Sequence, residues 1–166
     1  GKSAASCAGS AIGFALPTAD CPSMAPAVAQ LKLCQFNVLA PSARVCAPLD
    51  KVPWRARHEA ICDYLLKEAP DLACLQEFDF EEDVVSPGFR ALYEAKLHSE
   101  YDLFCLRRTR RKLDGIALLV RREGFVAGET VVHEHLLEPG FCDRVAQVAE
   151  LRHAGSGRRG VIGNVH

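Results

Sequence analysis

The order of apolar patterns predicts a mixed α/β domain with its helices early and antiparallel strands late. Three observations predict it. Alternation of period two over residues 31–38 is followed by helical spacing over 54–69 and then, after almost no loop, by the short apolar run Leu72 to Leu75. A helix between two such strands reads as a crossover unit with a parallel or mixed sheet. From residue 101 onward the apolar segments are strand-like and divided by turn signals.

Residues 1–29 are rich in Ala, Ser and Pro, with Pro17, Pro22 and Pro26 breaking any regular element, and read as a disordered leader or targeting remnant. The one methionine is Met24, so either an initiating segment precedes Gly1 or Met24 is a start with leader before it. Strand 31–38 places Leu31, Leu33 and Gln35 on one face and Lys32, Cys34, Phe36 and Val38 on the other. Pro41, Pro48 and Pro53 make 40–53 a loop. The helix over 54–69 starts behind Pro53, ends before Pro70, and carries Trp54, Ile61, Tyr64, Leu65 and Ala69 on its apolar face, with His58 on a flank. Strand 71–76 follows. A second helix is expected over 89–98 and strands over 101–106 and 115–121. Residues 125–137 read as extended, 145–153 and 160–165 as strands, and 155–159 as the turn between those two.

The 166 residues suffice for one domain with a sizeable core, and 49% hydrophobic and 25% charged residues are ordinary for a soluble fold. The net charge of −1 gives no bulk attraction to nucleic acid or to a membrane surface, so affinity for phosphate must come from local patches. The uncharged stretch 3–19 is too weakly apolar to span a bilayer. No two of the eight cysteines form a C-x-x-C pair, which argues for buried reduced thiols in an intracellular, cytoplasmic setting, with organelle and nucleus left open, and against a zinc site.

Four pieces bring polar chemistry to strand ends. Asn37 ends the first strand, Glu77 ends the strand after the helix, Asp114-Gly115 opens the strong strand Ile116 to Val120, and Asn164-Val165-His166 ends the last. On one sheet rim, an amide, a carboxylate and an imidazole suit Mg²⁺-assisted attack on a phosphodiester, with Mn²⁺ as an alternative ion. Mg²⁺ commonly keeps several waters, so one or two carboxylates suffice. Other charged groups have plainer readings. Asp79, Glu81, Glu82 and Asp83 read as a solvated loop. His133 and His135 share a strand face and read as a surface or satisfied pair. The run Arg107-Arg108-Thr109-Arg110-Arg111-Lys112 is either a phosphate-tracking patch or a solvated hairpin, with a nuclear import signal ranked lower.

In this order, Phe36-Asn37-Val38-Leu39-Ala40, Trp54-Arg55-Ala56-Arg57, Pro70-Asp71 through Leu75-Gln76-Glu77, Lys112-Leu113-Asp114-Gly115-Ile116-Ala117 and Asn164-Val165-His166 resemble the endonuclease/exonuclease/phosphatase superfamily. Within it they most resemble the carbon catabolite repressor deadenylase and nocturnin branch. The resemblance runs over residues 31–166. It implies a two-sheet α/β sandwich with outer helices and Mg²⁺-dependent hydrolysis of a phosphodiester or phosphate ester. It assigns Glu77 as metal ligand, Asn37 as the residue that orders metal, water and phosphate, and His166 as the contact to the scissile phosphate. Asp114, Gly115, Lys112, Arg110 and Asn164 fall near the substrate, an RNA 3′ end or a nucleotide. The family pattern continues with an Asp-x-Asn motif and a late Asp-His pair that these residues lack, Asp143-Arg144 lying in the wrong place. The resemblance therefore implies a truncated sandwich, the amino-terminal half of a catalytic domain over residues 30–166, inactive alone, with an exposed inner face and poor autonomous folding. The deadenylase reading stands beside a phosphatase or phosphodiesterase acting on a small nucleotide such as NADP(H), and beside a catalytically dead interaction module.

Overall fold

A computed structural model describes residues 30–44, 53–80, 88–109, 112–136 and 144–166. The expected leader, the acids at 81–83, and Arg110, Arg111 and Asp143 lie outside the described residues. Among the described residues, seven strands and two α-helices follow in the order β1 (Leu33–Asn37), α1 (Trp54–Glu68), β2 (Leu72–Asp79), α2 (Phe89–Leu97), β3 (Tyr101–Arg107), β4 (Asp114–Arg121), β5 (Val131–Leu136), β6 (Val145–Arg152) and β7 (Arg159–Val165), with a 3-10 turn at Pro41–Arg44 after β1. They form the α/β two-sheet sandwich that the sequence implies. The first sheet has the order β1-β2-β4-β3 and the second β5-β6-β7.

The early crossover is borne out. β1 and β2 pair in parallel, Leu33 opposite Leu72 through Asn37 opposite Gln76, and α1 joins them. All other pairings are antiparallel. The helix ends where Ala69 enters the left-handed region at φ 45° and its N–H returns to the Leu65 carbonyl at 2.8 Å, with Pro70 preventing continuation. β4 is buried on both faces from Asp114 to Val120, as a central strand must be.

Both helices lie on one face of the first sheet. Cys62 and Leu65 of α1 and Phe89, Tyr93 and Leu97 of α2 close over Ala73 and Leu75 of β2 and Ala117 and Leu119 of β4. Each fully buried Leu or Phe there contributes roughly 1.5–3 kcal/mol. The opposite face, Leu72, Cys74, Leu118 and Val120, packs on Phe125, Ala149 and Leu151, with Val132 and Ile162 alongside. The inner face is therefore covered, contrary to the expectation of a bare one, because β5, β6 and β7 fold back over it. Three exposed valines, Val131, Val161 and Val165, lie on the outer face of the second sheet.

Three local expectations need correction. The buried stripe of α1 is His58, Cys62 and Leu65, whereas Tyr64 is exposed and meets Phe36 edge-on at 5.5 Å. His58 is fully buried because its ring nitrogens find partners within the helix layer, which a pattern of apolar residues does not record. Residues 125–137 are not one extended segment: Phe125 makes a lone bridge to His153, a turn places Gly128 at φ 75°, and pairing resumes at Val131. Asp79 is not a solvated loop residue. It closes β2, is fully buried, and accepts the Ser42 N–H at 2.8 Å.

Cys62, Cys74 and Cys105 are free thiols. No helix among the described residues is long and apolar enough to cross a membrane.

Candidate functional site

The rim is built by a break in β2. Its pairing with β4 runs in regular register from Leu72 to Gln76, then skips Glu77 and resumes with Phe78 opposite Gly115 and Asp79 opposite Asp114. Glu77 is the extra residue of a β-bulge and sits at φ 54°, a left-handed conformation unusual for a residue with a side chain. The bulge has two effects. It returns Phe78 to the helix-facing core, where its ring meets Phe89 and Tyr93 at 5.0 Å each. It also turns the Glu77 carboxylate out of the sheet pleat toward the ends of β1 and β7.

At the end of β1, Asn37 donates its Nδ2 to Glu77 Oε1 at 2.7 Å. Its own Oδ1 accepts the Leu39 N–H at 3.0 Å, closing a turn in which Leu39 has φ 59°. From β7, His166 is anchored by its backbone N–H on the Val145 carbonyl at 3.2 Å, and its Nε2 lies 4.0 Å from Glu77 Oε1. Asn37, Glu77 and His166 therefore meet, although 129 positions separate the first from the last in sequence. Burial holds His166 below its ordinary imidazole pKa, and the Arg108 guanidinium lowers it further, while Asp114 and Glu77 pull the other way. Its Nδ1 is buried and has no hydrogen-bond partner among the described residues.

The remaining predicted residues take other places. Asp114 is buried, and both its carboxylate oxygens accept from Arg108 Nη2, at 2.6 Å for Oδ2. A paired carboxylate of this kind fixes the guanidinium beside His166. Gly115 lies inside the β3–β4 ladder, where a Cβ would strike the Leu106 carbonyl and the Arg107 Cα. Lys112 is exposed on the β3–β4 connection, its carbonyl held by Arg107 Nε at 2.9 Å. Arg110 lies outside the described residues. Asn164 is buried: its Oδ1 accepts from Gln76 Nε2 at 2.8 Å and its Nδ2 donates to the Ala117 carbonyl at 2.9 Å. It ties β7 to β2 and β4 and so sets the position of His166 against Glu77. His133 is exposed and lies 3.2 Å from Glu150, a surface pair on the second sheet. A depression of about 420 Å³ lined by Glu129, Val131, Glu150, Arg152, Arg159 and Val161 lies at the far end of those strands, away from the rim.

The strand-end pattern does not single out Gln76, and Arg108 stands in the sequence only as one member of the basic run 107–112. Gln76 directly precedes Glu77 at an inward strand position, a signal that could have marked it. Nothing local distinguishes Arg108 from its basic neighbours.

The donors fit a hydrated hard cation. Asn37 fixes one oxygen of the Glu77 carboxylate, and no described residue hydrogen-bonds the other. No three His, Cys, Asp or Glu side chains gather into a cage among the described residues, and a divalent cation here would be held through the Glu77 carboxylate and ordered water.

A model of the Endonuclease/Exonuclease/phosphatase family matches residues 34–156. The chain is 32% identical over 127 residues to an uncharacterized calcium-binding protein of Arabidopsis thaliana, and 31% identical over 117 residues to carbon catabolite repressor protein 4 homolog 3 of the same plant. These matches take in 70% and 68% of this chain but 25% and 24% of the relatives, so the chain spans about a quarter of the length of each. Among solved structures, ANGEL2, a 2′,3′-cyclic phosphatase, superimposes with a TM-score of 0.65 at 21% identity, covering 81% of this chain and 40% of that one. The human nocturnin catalytic domain with bound sulfate gives 0.55 at 23% identity, covering 81% of this chain and 48% of that one. At such identities the likeness is one of fold.

Proposed function

The chain belongs to the Endonuclease/Exonuclease/phosphatase family, and from that premise we propose that it serves divalent-cation-dependent hydrolysis of a phosphodiester, with an RNA 3′ end, as in a poly(A) deadenylase, as the substrate. The observation that carries this reading is the convergence of Glu77, Asn37 and His166 on one rim, through a bulge whose left-handed glutamate needs a reason to persist.

A bound Mg²⁺ or Mn²⁺ would polarise a phosphoryl oxygen and offset the charge that develops there. The protein's part follows from its own groups. Glu77 presents one oxygen to the cation while Asn37 holds the other. His166, with its pKa held down, is neutral at pH 7 and can donate one N–H to a phosphate oxygen. Arg108, fixed by Asp114, keeps a positive charge beside that phosphate without leaving its partner. The branch choice rests on the likeness to carbon catabolite repressor protein 4 homolog 3.

The test is hydrolysis by the intact protein of a 3′-adenylated RNA and, in parallel, of NADPH, at saturating Mg²⁺ or Mn²⁺. RNA shortening that is lost in Glu77→Gln with the fold retained is the expected result. Turnover unchanged in that variant overturns the ligand assignment. Phosphate release from NADPH with intact RNA moves the substrate to a small nucleotide, and no hydrolysis of either supports a binding module.

A further inference from the structure

The direction in which the Asn37 amide points is set from the helix layer. Asn37 can face Glu77 with Nδ2 or with Oδ1, and only Nδ2 forms a hydrogen bond to a carboxylate. Nδ2 faces it because the Leu39 N–H occupies Oδ1. That N–H is presented by the left-handed turn at Leu39, and the carbonyl of the same residue accepts from Arg57 Nη2 at 2.8 Å. Arg57 comes from the first turn of α1, eighteen residues on. Its Nη2 also lies 3.1 Å from His58 Nε2, and His58 Nδ1 lies 2.8 Å from the Tyr93 hydroxyl on α2.

The donor inventory orders the bonds. A guanidinium only donates, so His58 Nε2 accepts from Arg57, and Nδ1 is left to donate to the Tyr93 oxygen. His58 and Tyr93 are fully buried, and the Phe89 ring meets the His58 ring edge-on at 4.6 Å. The imidazole therefore has one orientation in which both nitrogens are used, and Arg57 is held to Leu39 by a rigid backing.

We propose that Arg57, backed by His58 and Tyr93, is a positioning residue for the Asn37–Glu77 pair: it fixes the Leu39 turn and thereby the orientation of the amide that holds the carboxylate. The proposal rests on the reading of Glu77 as the cation-holding group for its effect on metal, and on the hydrogen-bond chain alone for its effect on Asn37. Partners one shell beyond a metal ligand typically change metal affinity by about 10–100-fold.

The test uses Arg57→Met, the milder Tyr93→Phe, and Leu97→Ala as a control that loosens the same core without touching the chain of bonds. Two quantities are read in the intact protein: the side-chain amide NMR signals of Asn37 without metal, and the Mn²⁺ dissociation constant by calorimetry. Arg57→Met is expected to displace the Asn37 signals and weaken Mn²⁺ binding about 10-fold. Tyr93→Phe moves both in the same direction by less, and Leu97→Ala lowers the unfolding midpoint while leaving both near wild type. If Arg57→Met does not fold, Tyr93→Phe carries the comparison. Wild-type Asn37 signals in the folded Arg57 or Tyr93 variant overturn the proposal. Equal Mn²⁺ binding by wild type and Glu77→Gln would instead overturn the cation reading, and the Asn37 signals then decide the positioning role by themselves.

Discussion

Replacing Asn164 by leucine, which has nearly the same branched outline, should separate the two sheets' polar clasp from their apolar packing. Asn164 is about 2% exposed and Gln76 about 7%, so neither partner can turn to bulk water. The substitution removes two hydrogen bonds, of 2.8 and 2.9 Å, and leaves Gln76 Nε2 and the Ala117 carbonyl facing a methyl group. A buried polar group stripped of its partner costs about 1–3 kcal/mol, so two of them place the loss at roughly 2–6 kcal/mol. Adding Gln76→Leu removes one of the two orphans and supplies apolar contact, so the double variant should be less destabilised than the sum of the singles by about 1–3 kcal/mol. Urea unfolding followed by fluorescence and by circular dichroism gives each midpoint, with a constant m-value as the check that only stability has changed. Additive losses across the cycle would refute the clasp, and a single-variant loss below about 1 kcal/mol would show that the amide has other partners.

Two further outcomes follow from charge and burial. His166 should titrate by NMR with a midpoint below 6.5, because burial and Arg108 both disfavour its cation. The folded pKa lies below the unfolded one, so the unfolded chain binds more protons between them; the contribution of His166 to stability is complete above about pH 6.5 and is lost as pH falls through the folded value. The advantage of wild type over His166→Gln should accordingly shrink in acid, and a midpoint above 6.5 would show that Glu77 and Asp114 outweigh the other effects. Burial pushes the Cys62 and Cys105 thiols up to about 12 and that of Cys74 to about 11, so iodoacetamide at about pH 8 should leave all three unmodified in the native protein while labelling them in urea. Native labelling of Cys62 at the unfolded rate would place it at the surface.

Most of the architecture is legible in the sequence because its signals are local. Pro53 and Pro70 bracket α1, alternation marks β1, and the turn over 155–159 separates β6 from β7, so expected and observed limits differ by a residue or two. The failures share a cause. A bulge destroys period two where it occurs, so the pattern predicts a strand over 71–76 whereas β2 runs through Glu77 to Asp79. That same break is what presents Glu77, and the site is therefore least visible in the pattern where it is built. His58 and Asp79 were misplaced because their burial depends on partners far along the chain, Tyr93 and the Ser42 backbone, which no spacing rule encodes. Asn37, Glu77 and His166 could be picked out as strand-end polar groups. That Asn164 faces inward as a clasp, and that Arg108 rather than a neighbour reaches Asp114, depends on sheet-to-sheet geometry.

The left-handed glutamate also bears on how this lineage can change. A side chain held in that region costs about 1–3 kcal/mol, and glycine would occupy it without strain. Folding alone thus favours losing the carboxylate at position 77, while the proposed cation-holding role favours keeping it. Opposed pressures at one site make it a record of which has prevailed. A descendant that did not need the proposed role could drift to glycine there and become sturdier, since stabilising substitutions at strained positions are readily reached once a function is no longer selected. Position 77 is the place at which such a release would first become visible.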